Sequence, residues 1–153
     1  MTKHKFSTKI AGLAVFTALV TLPVSARAPT TDPLVGTWLV EHPTAPFPLH
    51  LYVFNADHTM QQANPDAGDP RTSDSDGKGV WARRGTRVVG KWVEIMADRT
   101  THKLTGHGEL SFEVSVVGDR LTGTGTFIGY DTAGKVVVGP LPAPFTGARV
   151  TVP

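Results

Sequence analysis

In the segment Arg87 to Ala97, Trp92, Glu94 and Met96 stand two residues apart. In an extended strand they share one face, and Val93, Ile95 and Ala97 share the other. With the Trp92 face inward, Glu94 is a carboxyl group between an indole and a thioether, where loss of water raises its pKa and suits it to general acid or base chemistry. With Val93 and Ile95 inward, it is solvated beside Lys91 or Arg87. Leu49 to Phe54 poses the same choice. Either His50, Tyr52 and Phe54 face the interior and supply a pocket wall with a proton carrier, or Leu49, Leu51 and Val53 form core and His50 lies at the surface. His102, in Asp98-Arg99-Thr100-Thr101-His102, joins Glu94, His50 and Tyr52 as the candidate acid and base groups. Trp81, Trp92, Met96 and Tyr130 are the candidate ligand-binding side chains, large and adaptable enough to cover an apolar molecule, although Trp81 also suits a rim or core position.

Other chemistries lack their residues. The chain has no cysteine, which excludes thiolate metal sites and thiol catalysis. His42, His50, His58, His102 and His107 show no HExxH or His-x-His spacing, so no metal site is expected. Asp74-Ser75-Asp76-Gly77 is similar to the start of a calcium loop, but the twelfth position is Gly85 where that loop needs a glutamate. There is no G-x-S-x-G, Walker or dinucleotide fingerprint, and no cofactor is expected.

Residues 1–28 read as an export signal: Lys3, Lys5 and Lys9 precede the apolar run Ile10 to Leu22, and Pro23-Val24-Ser25-Ala26-Arg27-Ala28 carries the small residues of a cleavage site. The 13-residue run is shorter than the roughly 20 residues a membrane-spanning helix requires. The expectation is a periplasmic or secreted protein, not integral to the membrane after processing, with residues 29–153 as one domain. None of the 13 acidic residues lies in the signal, so losing its three lysines leaves 12 basic residues and a net charge near −1. No basic stripe remains for nucleic acid.

The elements that must position these groups are all extended. No window shows a sustained 3.6-residue apolar period, and turn residues punctuate the chain frequently. Strands are expected near 36–41, 49–54, 59–62, 79–84, 87–97, 109–117, 120–130, 135–138 and 145–152. Asn55-Ala56-Asp57-His58, Gly85-Thr86, Gly118-Asp119 and Asp131-Thr132-Ala133-Gly134 supply hairpin joints. A meander without helices hides its apolar face by curling onto itself, so the fold class is all-β: an up-and-down antiparallel barrel of about eight or nine strands, with an open two-sheet sandwich as the alternative. Two loops are long, Ala63 to Lys78 and Asp98 to Gly108, and one hairpin separates them, which puts both on the same rim.

Gly36-Thr37-Trp38 resembles the G-x-W signature that opens the first strand of lipocalins and other calycin barrels, and Arg149 resembles the arginine that packs over that tryptophan. The resemblance implies structural roles for Gly36, Trp38 and Arg149 at a closed barrel end, where guanidinium and indole combine cation–π attraction with cover for an apolar plug. His42 to Pro48 is too short for the helical pair of fatty-acid-binding barrels. The chain is more similar to compact lipocalin-like and allene-oxide-cyclase-type barrels, a grouping of ligand carriers and cofactor-free isomerases and cyclases. The leading expectation is an exported protein that binds a small apolar or amphipathic molecule in its lumen. The alternatives are a cofactor-independent isomerase, cyclase or lyase, and a plugged barrel acting through its loops on a protein partner.

Overall fold

The structure, a computed structural model, describes residues 31–153; the expected export signal and the first two residues of the expected domain lie outside the described residues. Ten strands make up the secondary structure of the described residues: β1 (Gly36–Glu41), β2 (Leu49–Phe54), β3 (Thr59–Ala63), β4 (Thr72–Asp74), β5 (Gly77–Arg84), β6 (Arg87–Asp98), β7 (Leu104–Val117), β8 (Arg120–Asp131), β9 (Val136–Pro142) and β10 (Phe145–Arg149). Every pairing is antiparallel. Strands β1, β2, β3, β5, β6, β7 and β8 follow one another, and β10 joins β8 to β1 to close an eight-stranded barrel.

Strand β8, paired along one edge with β7, serves two partners on the other. Its first half, Arg120 to Gly123, pairs with β10, and its second half, Thr126 to Tyr130, pairs with β9. The wall therefore splits: β10 continues round the barrel at one end while β9 forms a flap at the other. Strand β4 is an addition to the nine strands expected, pairing Thr72, Ser73 and Asp74 with Asp98, Ala97 and Met96. A three-residue polar strand carries no alternation, and it is fixed from outside by Arg99, which donates to the carbonyls of Asp69 and Thr72 at 3.0 Å. The second long loop is shorter than expected, 99–103, because β7 already begins at Leu104. Both loops nonetheless meet on one rim through Arg99.

The register settles the open choices of face. In β2, His50, Tyr52 and Phe54 are buried, while Leu49 and Leu51 are 48% and 45% exposed. In β6, Trp92 and Glu94 are buried and Ile95 is exposed. The displaced leucines are not without contact, because Leu51 pairs with Leu39 across β1 and β2 on the outer surface.

The end at which β1 begins is solidly filled. Trp38 is fully buried, donates through Nε1 to the Leu34 carbonyl at 2.8 Å, and lies in register with Arg149, whose guanidinium carbon sits 4.2 Å from the ring centroid. Arg149 also donates to the carbonyls of Val35 and Pro33 and to Asp119. Gly36 has φ +134°, a conformation that favours glycine, and its missing Cβ leaves room for the Arg149 guanidinium. Above this plug Phe54, Met60, Trp81, Val88, Phe112, Val114, Leu121 and Phe145 complete the core.

Candidate functional site

Toward the other rim the packing gives way to a cavity of about 360 Å³, within the range of small-molecule pockets. Its apolar walls come from Trp92, Leu110 and Phe127, which are consecutive partners across β6, β7 and β8, with Met96 beyond them. Val138 and Leu141 on β9 and Ala45 to Phe47 on the β1–β2 connection flank the mouth, and the Thr44 hydroxyl donates to the Pro142 carbonyl across it.

The polar groups that line or underlie the cavity divide into satisfied and unsatisfied ones. The Phe47 carbonyl lies 2.8 Å from His50 Nε2, which must therefore carry the proton, leaving Nδ1 to accept from the Gln62 amide at 2.9 Å. The Gln62 orientation is fixed in turn, since its Oε1 accepts from the Gly77 amide at 2.9 Å and its nitrogen also donates to Asn64. A second proton on His50 would oppose the Gln62 amide, and burial also lowers its pKa. Deeper in, Trp92 Nε1 donates to the Tyr52 hydroxyl at 3.1 Å, and the same hydroxyl hydrogen-bonds His42 Nε2 at 2.8 Å. Burial, then the proximity of His50, lowers the His42 pKa to about 4, and burial pushes the Tyr52 phenol above its usual range.

Glu94 stands apart. It is 7% exposed, lines the cavity, and accepts no hydrogen bond from any described residue. Burial, then the charge of Asp74, raises its pKa to about 8, so the carboxyl is mostly protonated at neutral pH. Its cross-strand partner is Gly108, where a Cβ would come within 2.6 Å of the Phe127 ring and 2.8 Å of Glu94 Oε1. The glycine makes the space in which carboxyl and ring lie side by side. Asp74, at the end of β4, also lines the cavity; burial and the neighbouring Asp66 raise its pKa to about 6. Asp66 is itself lowered to about 2 by the Ser73 hydroxyl and further hydrogen bonds, Arg99 among them.

No family model, curated protein or solved structure matches the chain. Fold and site geometry thus stand alone. Of the candidate acid and base groups, Glu94 and His50 line the cavity and Tyr52 lies beneath it, whereas His102 is exposed in the 99–103 turn. Of the candidate ligand-binding side chains, Trp92 and Met96 line the cavity. Trp81 is core near the filled end, edge-on to Phe54 and donating to the Asn55 carbonyl, and Tyr130 stacks on His107 with centroids 4.8 Å apart, outside the lining. Among the described residues no three metal-capable side chains converge.

Sequence reasoning missed Gln62, His42 and Asp74 as parts of the site. Gln62 had a signal, because it follows Met60 at the inward spacing of β3 and is a polar residue where an apolar one is expected. His42 follows the last residue of β1 and had none.

Proposed function

We propose that this chain is an exported, lipocalin-like barrel that binds a small apolar or amphipathic molecule in the cavity at its open end. The observation that carries the reading is the cavity itself, about 360 Å³ with walls from Trp92, Leu110 and Phe127 and a mouth between the β1–β2 connection and β9. The Trp38–Arg149 pairing at the opposite end supports the lipocalin-like part of the reading, and the sequence of residues 1–28 supports export to the periplasm or beyond. An environment-sensitive naphthalene dye should gain fluorescence with the mature protein. Leu110→Trp, which fills the cavity, should remove that gain while near-UV circular dichroism is retained. No gain with the unaltered protein would overturn the reading.

Glu94 favours a second reading, a cofactor-independent enzyme. A carboxyl protonated at neutral pH inside an apolar cavity is equipped to donate a proton to a bound substrate and take it back. His50, locked as a neutral ring with both nitrogens engaged, and Tyr52, bonded to Trp92 and His42, serve better as scaffold than as a second proton carrier. Turnover that Glu94→Gln abolishes without loss of dye binding would establish this reading over the first.

A further inference from the structure

Three features of the cavity bear on which small molecule it takes, and they extend the binding reading on which they rest. The first is charge. Glu94, Asp74 and Asp69 line the cavity, and no lysine or arginine does. Of the two lining histidines, His50 is held neutral by its bonds to the Phe47 carbonyl and the Gln62 amide, and His42 is kept neutral by burial beside it. An anionic ligand would therefore meet carboxyl groups without a counter-charge.

The second is satisfaction. Asp69 is taken up by the amides of Arg71 and Thr72, and Asp74 is only partly buried. Glu94 alone is more than nine-tenths buried, faces the cavity, and has no donor among the described residues. Its carboxyl oxygens stay open to the cavity, so in the empty protein only solvent can serve them, and a ligand that displaces that solvent must supply a partner. An ionised carboxylate accepts up to about four hydrogen bonds, and an ammonium group supplies three donors together with the opposite charge. The third is the wall. Trp92 and Phe127, with ring centroids 6.4 Å apart, line the same space, and aromatic rings suit a cation as well as an apolar body.

We propose that the ligand is a cationic amphiphile, a protonated amine on a small apolar body, with its ammonium group paired to Glu94 and its body against Trp92, Leu110 and Phe127. Glu94 acts as counter-ion and recognition element. Where the carboxyl is protonated in the empty cavity, binding the cation displaces that proton to solvent. The other titratable groups lining this space are His50 from β2, His42 from the β1–β2 connection, Asp69 from the β3–β4 connection and Asp74 from β4, with Tyr52 of β2 beneath them; β7 and β8 contribute Leu110 and Phe127. His42, lowered to about 4, and Tyr52, raised above its usual range, keep their protonation between pH 6.5 and 8, Asp74 is ionised over most of that range, and burial lowers His50.

Three probes of nearly equal shape test this by calorimetry on the full mature chain: 2-phenylethylamine, 2-phenylethanol and phenylacetate. The amine should bind at least tenfold more tightly than the alcohol, and phenylacetate most weakly. At pH 7, titrations in buffers of different ionisation heat should show release of close to one proton with the amine and none with the alcohol. Glu94→Gln should abolish the preference for the amine and keep the affinity for the alcohol. Should that variant fail to fold, the probe ranking and proton release on the unaltered protein still decide. Alcohol or phenylacetate binding as tightly as the amine would overturn the cationic ligand while leaving the pocket reading intact. No binding by any of the three at millimolar concentration would overturn both.

Discussion

The two ends of this barrel each set an ionisable side chain beside a tryptophan, with opposite consequences. At the filled end Arg149 lies over Trp38 and distributes its donors to the carbonyls of Val35 and Pro33 and to Asp119, so the charge is fully partnered and acts as a fastener. At the open end Glu94 shares a face of β6 with Trp92 and has no partner among the described residues. A strained or unsatisfied group persists only where the rest of the fold holds it in place. The filled end supplies that hold. One barrel can thus keep stability and recognition in separate halves, joined by strands that run through both.

The largest test of this division is Trp38→Ala. Removing a fully buried indole should lower unfolding free energy by about 3–5 kcal/mol, read from denaturant midpoints. A loss under about 1 kcal/mol, typical of surface positions, would mean the filled end is not what holds the barrel together.

Glu94→Gln should act in the opposite sense, with a size that depends on pH. The folded pKa of about 8 lies above the unfolded value of 4.5, so between the two the native state holds a proton that the unfolded state has lost. Stability contributed by this group is therefore present at low pH and falls as pH rises toward 8. One proton corresponds to a slope of about 1.4 kcal/mol per pH unit. From pH 6.5 to 8 the stability of the Glu94→Gln variant relative to the unaltered protein should thus rise by about 1–2 kcal/mol. His42 and His50, lowered in the folded state, pull the other way at lower pH, but they are common to both proteins and cancel in the difference. A difference that does not change with pH would place Glu94 in water.

The contrast between the ends also explains what the sequence could disclose. The filled end was legible because it is built from pattern: Gly36-Thr37-Trp38 and Arg149 are a recognisable pair, alternation marks the strands, and the residues of β1 and β2 fall within the expected bounds. The open end was less legible because it departs from pattern. Leu49 and Leu51 face outward so that His50 and Tyr52 can face inward, a reversal of the hydrophobicity rule that alternation alone cannot reveal. The inward polar residues are made tolerable by partners distant in the chain: Gln62 for His50, Trp92 and His42 for Tyr52. Strand β4 and the early start of β7 were hidden for a similar reason, since Thr72 to Asp74 and Thr105 to Gly108 have neither apolar alternation nor length, and cross-strand pairing alone defines them.

The smallest expected effect is a charge felt at one end and not at the other. Asp74 has a raised pKa of about 6 and is ionised at neutral pH, where its charge is the second contribution, after burial, to the raised pKa of Glu94. Asp74→Asn should therefore lower the Glu94 titration midpoint, followed by NMR of the labelled side-chain carboxyl, but by less than burial raises it. Asp119, although bonded to Arg149 at 3.0 Å, is 73% exposed, and Arg149 retains its two carbonyl acceptors without it. Asp119→Asn should change stability by less than about 0.5 kcal/mol, because an exposed ion pair is screened by solvent. A midpoint for Glu94 that ignores Asp74 would mean that the two carboxyl groups do not share a poorly solvated space. The open end would then be as well screened as the surface at Asp119, and the electrostatic difference between the two ends of the barrel would disappear.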